Sequence, residues 1–269
     1  SIALPVFASD DGDTIYINSV SDLLSLARSC AYDQWSVGKT VILQKDLSLE
    51  GMLWEPIPSF SGQFKGNGHT ISDLTITGQY SPAGLFGIVE EQGSIESLSV
   101  RGIVSVSDSA DTTTGGIVGI NHGTLINCQF TGVVTGDSEV GGIVGRNESE
   151  GTIDHSTARA IVTGKSSTGG IAGYNLGAIT GCTNVGSINT EYPEASLDTD
   201  GFTAKMVDYI NNKMAAADND ATNSVTNVAT DTGGIAGRSS GMILTSVNTG
   251  TIGYEHIGYN VGGIVGRTD

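Results

Sequence analysis

One five-residue signature governs what this chain can become. Gly115-Gly116-Ile117-Val118-Gly119 recurs as Gly141 to Gly145, as Gly169 to Gly173 with Ala172, as Gly233 to Gly237 with Ala236, and as Gly262 to Gly266. Ala83-Gly84-Leu85-Phe86-Gly87 is a degenerate copy. The start-to-start spacings are 32, 26, 28, 64 and 29 residues. A period near 28 with one doubled gap marks a single supersecondary unit, stacked repeatedly and interrupted once.

The likeness extends beyond the glycines. One column holds Ile71, Ile95, Leu125, Ile153, Ile179 and Ile243. A second holds Leu74, Leu98, Cys128, Ser156, Cys182 and Ser246, and a third holds Val104, Val134, Val162, Ile188 and Ile252. Each apolar segment is short, often β-branched and bounded by Gly or Asn, which indicates strands rather than helices. A short strand cannot bury its apolar face alone, whereas stacking each copy on the next buries it in a column. A repeat of this length fits three strands and three turns. The expected fold is therefore all-β: a single-stranded parallel β-helix of about six coils, right-handed by default, with an N-terminal capping helix and one helical insertion.

Finer expectations follow from residue types. Gly at both ends of the GGIVG strand is expected to serve left-handed bends and close approach between coils. Asn121, Asn147 and Asn175 share a turn column, where Asn tolerates left-handed backbone and its amide can pair with the copies above and below. The three cysteines, Cys30, Cys128 and Cys182, form no disulfide framework and no Cys-x-x-Cys. Cys128 and Cys182 lie two coils apart, beyond disulfide reach, and read as reduced core fillers with Ser156 between them.

The chain divides into five stretches. Residues 1–13 read as a signal-peptide remnant and leader, because Ser1 to Ala8 is apolar and ends in Val6-x-Ala8. The basic and early apolar parts of such a signal are absent. Residues 14–60 read as an N-terminal cap and first coil. Ser19-x-x-Asp22 is a capping box, and Val20, Leu23, Leu24, Ala27 and Ala31 fall near helical spacing. Val41 to Leu43 and Leu47 to Leu49 read as strands, and Trp54-x-Pro56-Ile57-Pro58 as a rigid turn. Residues 61–190 are β-helix coils. Residues 191–230 are an inserted loop with one helix, carrying the stripe Phe202, Met206, Tyr209, Ile210 and Met214. Residues 231–269 are coils again, and further coils or another domain are expected C-terminal to them.

Charge narrows the function. Against 12 Lys and Arg stand 29 Asp and Glu, a net charge of −17. That balance excludes the clustered cations of a nucleic-acid binder and argues against docking on anionic lipid. No apolar run is long enough to insert in a membrane as a helix.

The pattern G-x-I-x-x-C, G-x-V/I-x-G, G-G-I-V-G-x-N resembles the GLUG-type repeat of bacterial surface and secreted proteins. Phe64 to Leu74 (FKGNGHTISDL) resembles the segment that commonly leads into it. The likeness covers roughly residues 60 to 269 less the insertion. It implies an exported bacterial protein, often adhesin-like or wall-associated. Such repeats also resemble those flanking large secreted metallopeptidases that cleave immunoglobulin A. The repeat itself carries no catalytic residue.

A search for chemistry yields no catalytic or metal residue to assign, and leaves ligand-binding residues unspecified. Gly237-Arg238-Ser239-Ser240-Gly241 matches G-x-S-x-G but sits at a repeat turn, without the strand-turn-helix of a nucleophile elbow. Gly38-Lys39-Thr40 and Gly164-Lys165-Ser166 lack the upstream Gly of a P-loop. His69, His122, His155 and His256 include no His-Glu-x-x-His, and His122 and His155 are expected to be solvated. Asp108 with Asp111, Asp137 with Glu139, and Asp154 could approach one another on adjacent coils. Asp10, Asp11 and Asp13, Asp198 and Asp200, or Asp218 and Asp220 could bind calcium weakly; no other cofactor is expected. Aromatic candidates for a sugar are Tyr80, Tyr174, Tyr192, Tyr254 and Tyr259. Three functions remain: a non-enzymatic adhesin-like rod or spacer contacting a host or cell-wall glycan or protein, a glycan-binding or glycan-cleaving β-helix, and an accessory domain of a secreted metallopeptidase.

Overall fold

A computed structural model describes residues 10–32, 34–106, 111–190, 229–253 and 259–269. The signal-like start, at residues 1–9, and most of the inserted stretch, at residues 191–228, lie outside the described residues.

The chain winds as a parallel β-solenoid of about seven turns. One seven-stranded sheet displays the count, through Ile57–Phe60, Phe86–Val89, Val118–Asn121, Val144–Asn147, Ala172–Asn175, Ala236–Ser239 and Val265–Thr268. We call this the third sheet. The first sheet runs from Asp10–Asp11 to Met242–Leu244, and the second from Leu47–Ser48 to Val247–Asn248. A short five-stranded sheet, from Thr113–Gly115 to Tyr259–Gly262, precedes the third in the later turns. The expected first coil is present as Thr40–Leu43, Leu47–Ser48 and Ile57–Phe60, without the glycine signature, and with it the count is about seven, close to the expected six.

Stacking is in register and like on like. In the first sheet Ile95, Leu125, Ile153, Ile179 and Ile243 follow one another through consecutive pairings, all fully buried except the partly covered Ile243. The third column also holds as expected, from Val104 through Val134, Val162 and Ile188 to Ile252. Cys128, Ser156, Cys182 and Ser246 form the second column. Cys128 N–H donates to Ser156 Oγ at 3.1 Å, and Cys182 N–H to Ser246 Oγ at 3.2 Å. The three cysteines are free and buried.

Ile71 and Leu74 belong elsewhere. Phe64 occupies the place below Ile95, while Ile71 pairs with Val100 and Leu74 with Gly102 in the second sheet. The reason is a longer corner. Gln63 to Thr70 spans seven positions where Ser94 to Ser99 and Thr124 to Gln129 span five. Gly66-Asn67-Gly68 takes up the excess, with Asn67 and Gly68 at φ of 53° and 75°.

GGIVG is a corner rather than a strand. Gly115 ends one strand, Gly116-Ile117 bends, and Val118 begins the next. Its glycines do not have positive φ; they permit close approach instead. A Cβ on Gly116 would collide with the Phe130 ring and with Gly142 O. The left-handed column lies at the corner between the first and second sheets. There Ser97, Asn127, His155, Gly181 and Thr245 have φ between 45° and 61°.

The first turn is covered by the helix Val20–Ser29. Ser19 is its N-cap: Asp22 N–H donates to Ser19 Oγ, and Asn18 N–H donates back to the Asp22 carboxylate. Leu23 and Leu26 are its fully buried contacts, whereas Ala31 lies past the helix and is exposed. Leu26, three residues after Leu23, takes the buried place instead. Trp54 is buried and donates from Nε1 to Leu85 O, and Ile57-Pro58 begins an edge strand rather than a turn. Proline is tolerated there because an edge has a free side.

Two substitutions separate core filling from backbone contact. Ile153→Ala is expected to cost about 2–5 kcal/mol through the cavity it leaves. Gly116→Ala is expected to cost about 1–3 kcal/mol by overpacking, while Gly263→Ala is expected to be neutral, because nothing lies within 4 Å of its Cβ position. Denaturant titration of the three variants measures this; equal effects at Gly116 and Gly263 would contradict the close-approach account.

Candidate functional site

The outward face of the third sheet stacks three of the chain's twelve Lys and Arg residues in one row. Its pairings place Ile88, Ile120, Arg146, Tyr174, Arg238 and Arg267 in one ladder. Like positions in successive turns must lie above one another, so this row is dictated by the column that follows the last glycine of each signature. The Tyr174 ring is sandwiched, with the Arg146 guanidinium 4.9 Å and the Arg238 guanidinium 4.8 Å from its centroid.

Carboxylates flank the row. Arg146 donates from Nη1 to Glu139 Oε1 at 2.7 Å and from Nε to Glu148 Oε1 at 2.6 Å. Thr113 Oγ1 donates to the other oxygen of Glu139 at 3.1 Å. Arg238 and the Tyr174 hydroxyl both donate to Asp269 Oδ2. The Arg238 guanidinium holds the Asp269 carboxyl below its usual range. Arg267 lies 3.4 Å from Asp269 and 3.9 Å from Asp231. Every guanidinium in the row is thus neutralised, and both faces of the ring are occupied. Each cation–π contact at such exposure is worth about 0.5–1 kcal/mol, so the row ties neighbouring turns together. It does not offer Tyr174 as a stacking platform for a sugar. The column was visible in the sequence as Gly-Arg-Asn, Gly-Tyr-Asn and Gly-Arg-Ser; its aromatic–guanidinium stack was not.

On the inner side runs a buried amide ladder. Asn121 Nδ2 donates to Asn147 Oδ1 at 2.8 Å, Asn147 to Asn175 at 2.9 Å, and Asn175 to Ser239 Oγ at 3.2 Å. These residues lie at strand ends without positive φ, which corrects the expected left-handed turn. Ser239, the serine of the G-x-S-x-G match, donates to Gly241 O and is 4% exposed. A strand, Met242–Leu244, follows it, so the motif forms no nucleophile elbow.

The other candidates are dispersed. Asp137 pairs with Lys165 at 2.6 Å, Glu139 with Arg146, and Asp154 with His155 at 2.8 Å. Asp111 is exposed and Asp108 lies outside the described residues. Among the described residues these carboxylates do not gather into one group: Asp137 and Glu139 each meet a cation of their own, and Asp154 meets an imidazole. His155 is exposed; His69 meets Asp46, whose carboxyl is held low by the Thr70 N–H and then by that imidazole. Gly38-Lys39-Thr40 leads into the strand Thr40–Leu43, and Gly164-Lys165-Ser166 into Thr168–Gly169, so neither forms a phosphate loop before a helix. Tyr80 packs partly against the core. Tyr192, Tyr254, His256, Asp198, Asp200, Asp218 and Asp220, and the side chains of Tyr259, Asp10 and Asp11, lie outside the described residues. Among the described residues no three His, Cys, Asp or Glu side chains gather as a metal site. No helix among them is long and apolar enough to cross a membrane.

Comparison with known proteins agrees with this geometry. Residues 136–163 match the family model of the GLUG motif. Halomucin of Haloquadratum walsbyi is 32% identical over 155 residues, covering 53% of this chain and 2% of that protein. A protein of Evansella cellulosilytica described as a Gly-rich membrane protein is 29% identical over 137 residues, covering 37% of this chain and 16% of its own length. The chain therefore spans only a small part of these relatives. A crystal structure from Bacteroides ovatus, described as an immunoglobulin A1 protease, superposes with a TM-score of 0.62 at 17% identity, over 97% of this chain and 76% of the other. At that identity the likeness is one of fold. Residues 136–163 thus carry a GLUG motif, and the stacked turns share the parallel β-helix fold of the Bacteroides ovatus structure.

Burial controls the thiols. Desolvation pushes Cys30 and Cys128 up to about 12 and Cys182 to about 11, from 9.0. Raised values favour the folded state below pH 9, and that contribution is lost as pH climbs toward 11 and 12. A thiol-specific disulfide reagent at pH 8 is expected to label none of the three cysteines in folded protein and all three in guanidinium. Asn147→Ala should strand its ladder neighbours and cost about 1–3 kcal/mol, read as a lower denaturation midpoint; an unchanged midpoint would show the ladder to be incidental.

Proposed function

We propose that this chain is a non-enzymatic extracellular or cell-surface module, an adhesin-like rod or spacer. The carrying observation is the parallel stacking of seven turns around continuous apolar columns, reinforced in the later turns by the Asn ladder inside and the paired arginine row outside. Strands about 4.8 Å apart make this stack roughly 30 Å long. Side-chain ladders on both faces resist bending, which suits presentation at a distance. Acidic charge keeps such a rod soluble and off anionic surfaces. Halomucin and the Gly-rich membrane protein, as named, fit an exported setting. A host or cell-wall glycan or protein is the expected contact.

A second reading draws on the fold match to the Bacteroides ovatus structure: an accessory domain of a secreted peptidase. Under this reading the domain spaces or orients a catalytic unit elsewhere and still performs no chemistry itself.

Beads coated with the purified chain are expected to be retained on glycan-coated or matrix-protein-coated surfaces, while polysaccharide and immunoglobulin A incubated with it stay intact. Release of reducing sugar, unsaturated uronate or peptide would overturn the non-enzymatic reading. Retention equal to that of beads coated with an inert acidic protein would remove the adhesive role.

A further inference from the structure

Among the described residues six corners join the third sheet to the first, and they come in two lengths. Two residues suffice at Ser61-Gly62, His122-Gly123, Leu176-Gly177 and Ser240-Gly241. Four are used at Glu90–Gly93 and at Glu148–Gly151. The extra residues have no counterpart in the adjacent turns, and insertions of this kind in a repeat fold map to one face, often the binding face. The two long corners differ in what holds them. Glu148 is taken by Arg146. At Glu90–Gly93 the ladder position of that arginine is held by Ile88. No ion pair among the described residues reaches Glu90 or Glu91.

The corner at Glu90–Gly93 lines a cleft of about 360 Å³, within the range of about 300–1,000 Å³ usual for small-molecule sites. Ser59 and Ser61, on and just after the first strand of the third sheet, form a second wall. Gln34 and Val37, in the loop after the capping helix, form a third. Hydrogen bonds fix each wall. Glu90 N–H donates to Phe60 O at 2.9 Å and Gly93 N–H to Glu90 O at 2.7 Å, which pins the corner. Ser61 N–H donates to Ser36 Oγ at 2.9 Å, which ties the loop to the strand. Val37 N–H donates to Gln34 O at 3.1 Å, with Gln34 in left-handed backbone at φ 59°. Ser59 Oγ donates to Glu90 Oε1 at 2.7 Å and orients that carboxylate. A site whose walls are already fixed loses little freedom on binding.

The lining selects the ligand. Carboxylates accept from hydroxyls, the carboxamides of Gln34 and Gln92 both donate and accept, and the serine hydroxyls do either. Val37, 44% exposed, adds an apolar patch. No Lys or Arg lines the cleft, so a phosphate, sulfate or uronate would meet only like charge. No three metal-ligating side chains gather there. The nearby Trp35 ring already carries the Lys39 ammonium, 5.1 Å from its centroid, so recognition rests on hydrogen bonds rather than stacking. We propose that this cleft binds a short uncharged saccharide, whose hydroxyls are held by Glu90, Glu91, Gln34 and Gln92. The assignment rests on the reading of the chain as a surface module that contacts glycan or protein, and gives that contact a place.

An array of uncharged glucose, mannose, galactose and N-acetylglucosamine oligosaccharides, with sulfated and uronate-bearing chains beside them, tests this on the full chain. Uncharged members are expected to bind and anionic ones to be left. The double variant Gln34→Ala/Gln92→Ala removes two exposed carboxamides and is expected to weaken binding about 10-fold or more through lost hydrogen bonds, with an unchanged circular dichroism spectrum. Glu150→Gln, at the other long corner, is expected to change nothing. Saccharide binding that is indifferent to the double variant, or that prefers anionic chains, would overturn the proposal and leave the glycan-contact reading standing. Retention on matrix protein with no saccharide bound would overturn the proposal and leave a protein-contacting rod. Loss of both contacts would remove the proposal and the adhesive reading together.

Discussion

Each strand of this protein is held by the strand one turn away, and that axial ladder is the constraint from which everything else follows. A turn makes few contacts within itself; its backbone groups and apolar side chains are satisfied by the turns above and below. Equivalent residues must then superpose, and the sequence must tolerate its own chemistry as a neighbour. Aliphatic side chains do so by packing, Asn by amide pairing, and Cys and Ser by accepting the next backbone N–H. Like charges do so only with partners: Tyr174 separates Arg146 from Arg238, and the adjacent Arg238 and Arg267 share the Asp269 carboxylate.

Much of this was legible because a repeat writes its contacts into its period. The Val104-to-Ile252 column and the run from Ile95 to Ile243 could be aligned before any geometry was known. So could the capping box at Ser19. Failures occurred where period and geometry diverge. Ile71 looked equivalent to Ile95 because both follow a Gly by a short step, but the corner at Gly66-Asn67-Gly68 is longer and moves Ile71 to another sheet. The GGIVG glycines suggested left-handed bends, yet their role is steric: a neighbouring backbone or ring fills the space of a Cβ. The left-handed work falls to Asn127, His155 and Thr245, whose varied identities conceal a shared backbone conformation.

For the outer surface, sequence was a weaker guide. Carboxylates close in number or column suggested sites, but outward side chains are placed by whichever partner lies across the ladder. Asp137 and Glu139 meet different cations, and Asp154 meets the His155 imidazole. Column alignment shows who stacks on whom along the axis. It does not show which side chain leans sideways, and sideways pairing decides whether a row of charges is a binding surface or a brace.

The long excursion has a practical meaning. Forty-one residues separate Ser187–Ile188 from Thr230–Gly233, where Gln129–Thr135 and Glu139–Gly141 are separated by three. Even so, Gly169 pairs with Gly233 and Ile188 with Ile252, as if nothing intervened. Closing a longer flexible loop costs only about 0.6 kcal/mol per doubling. The pairings on either side keep their phase across this long connection, so a foreign peptide or small domain carried at the corner is expected to leave the winding beneath it unchanged.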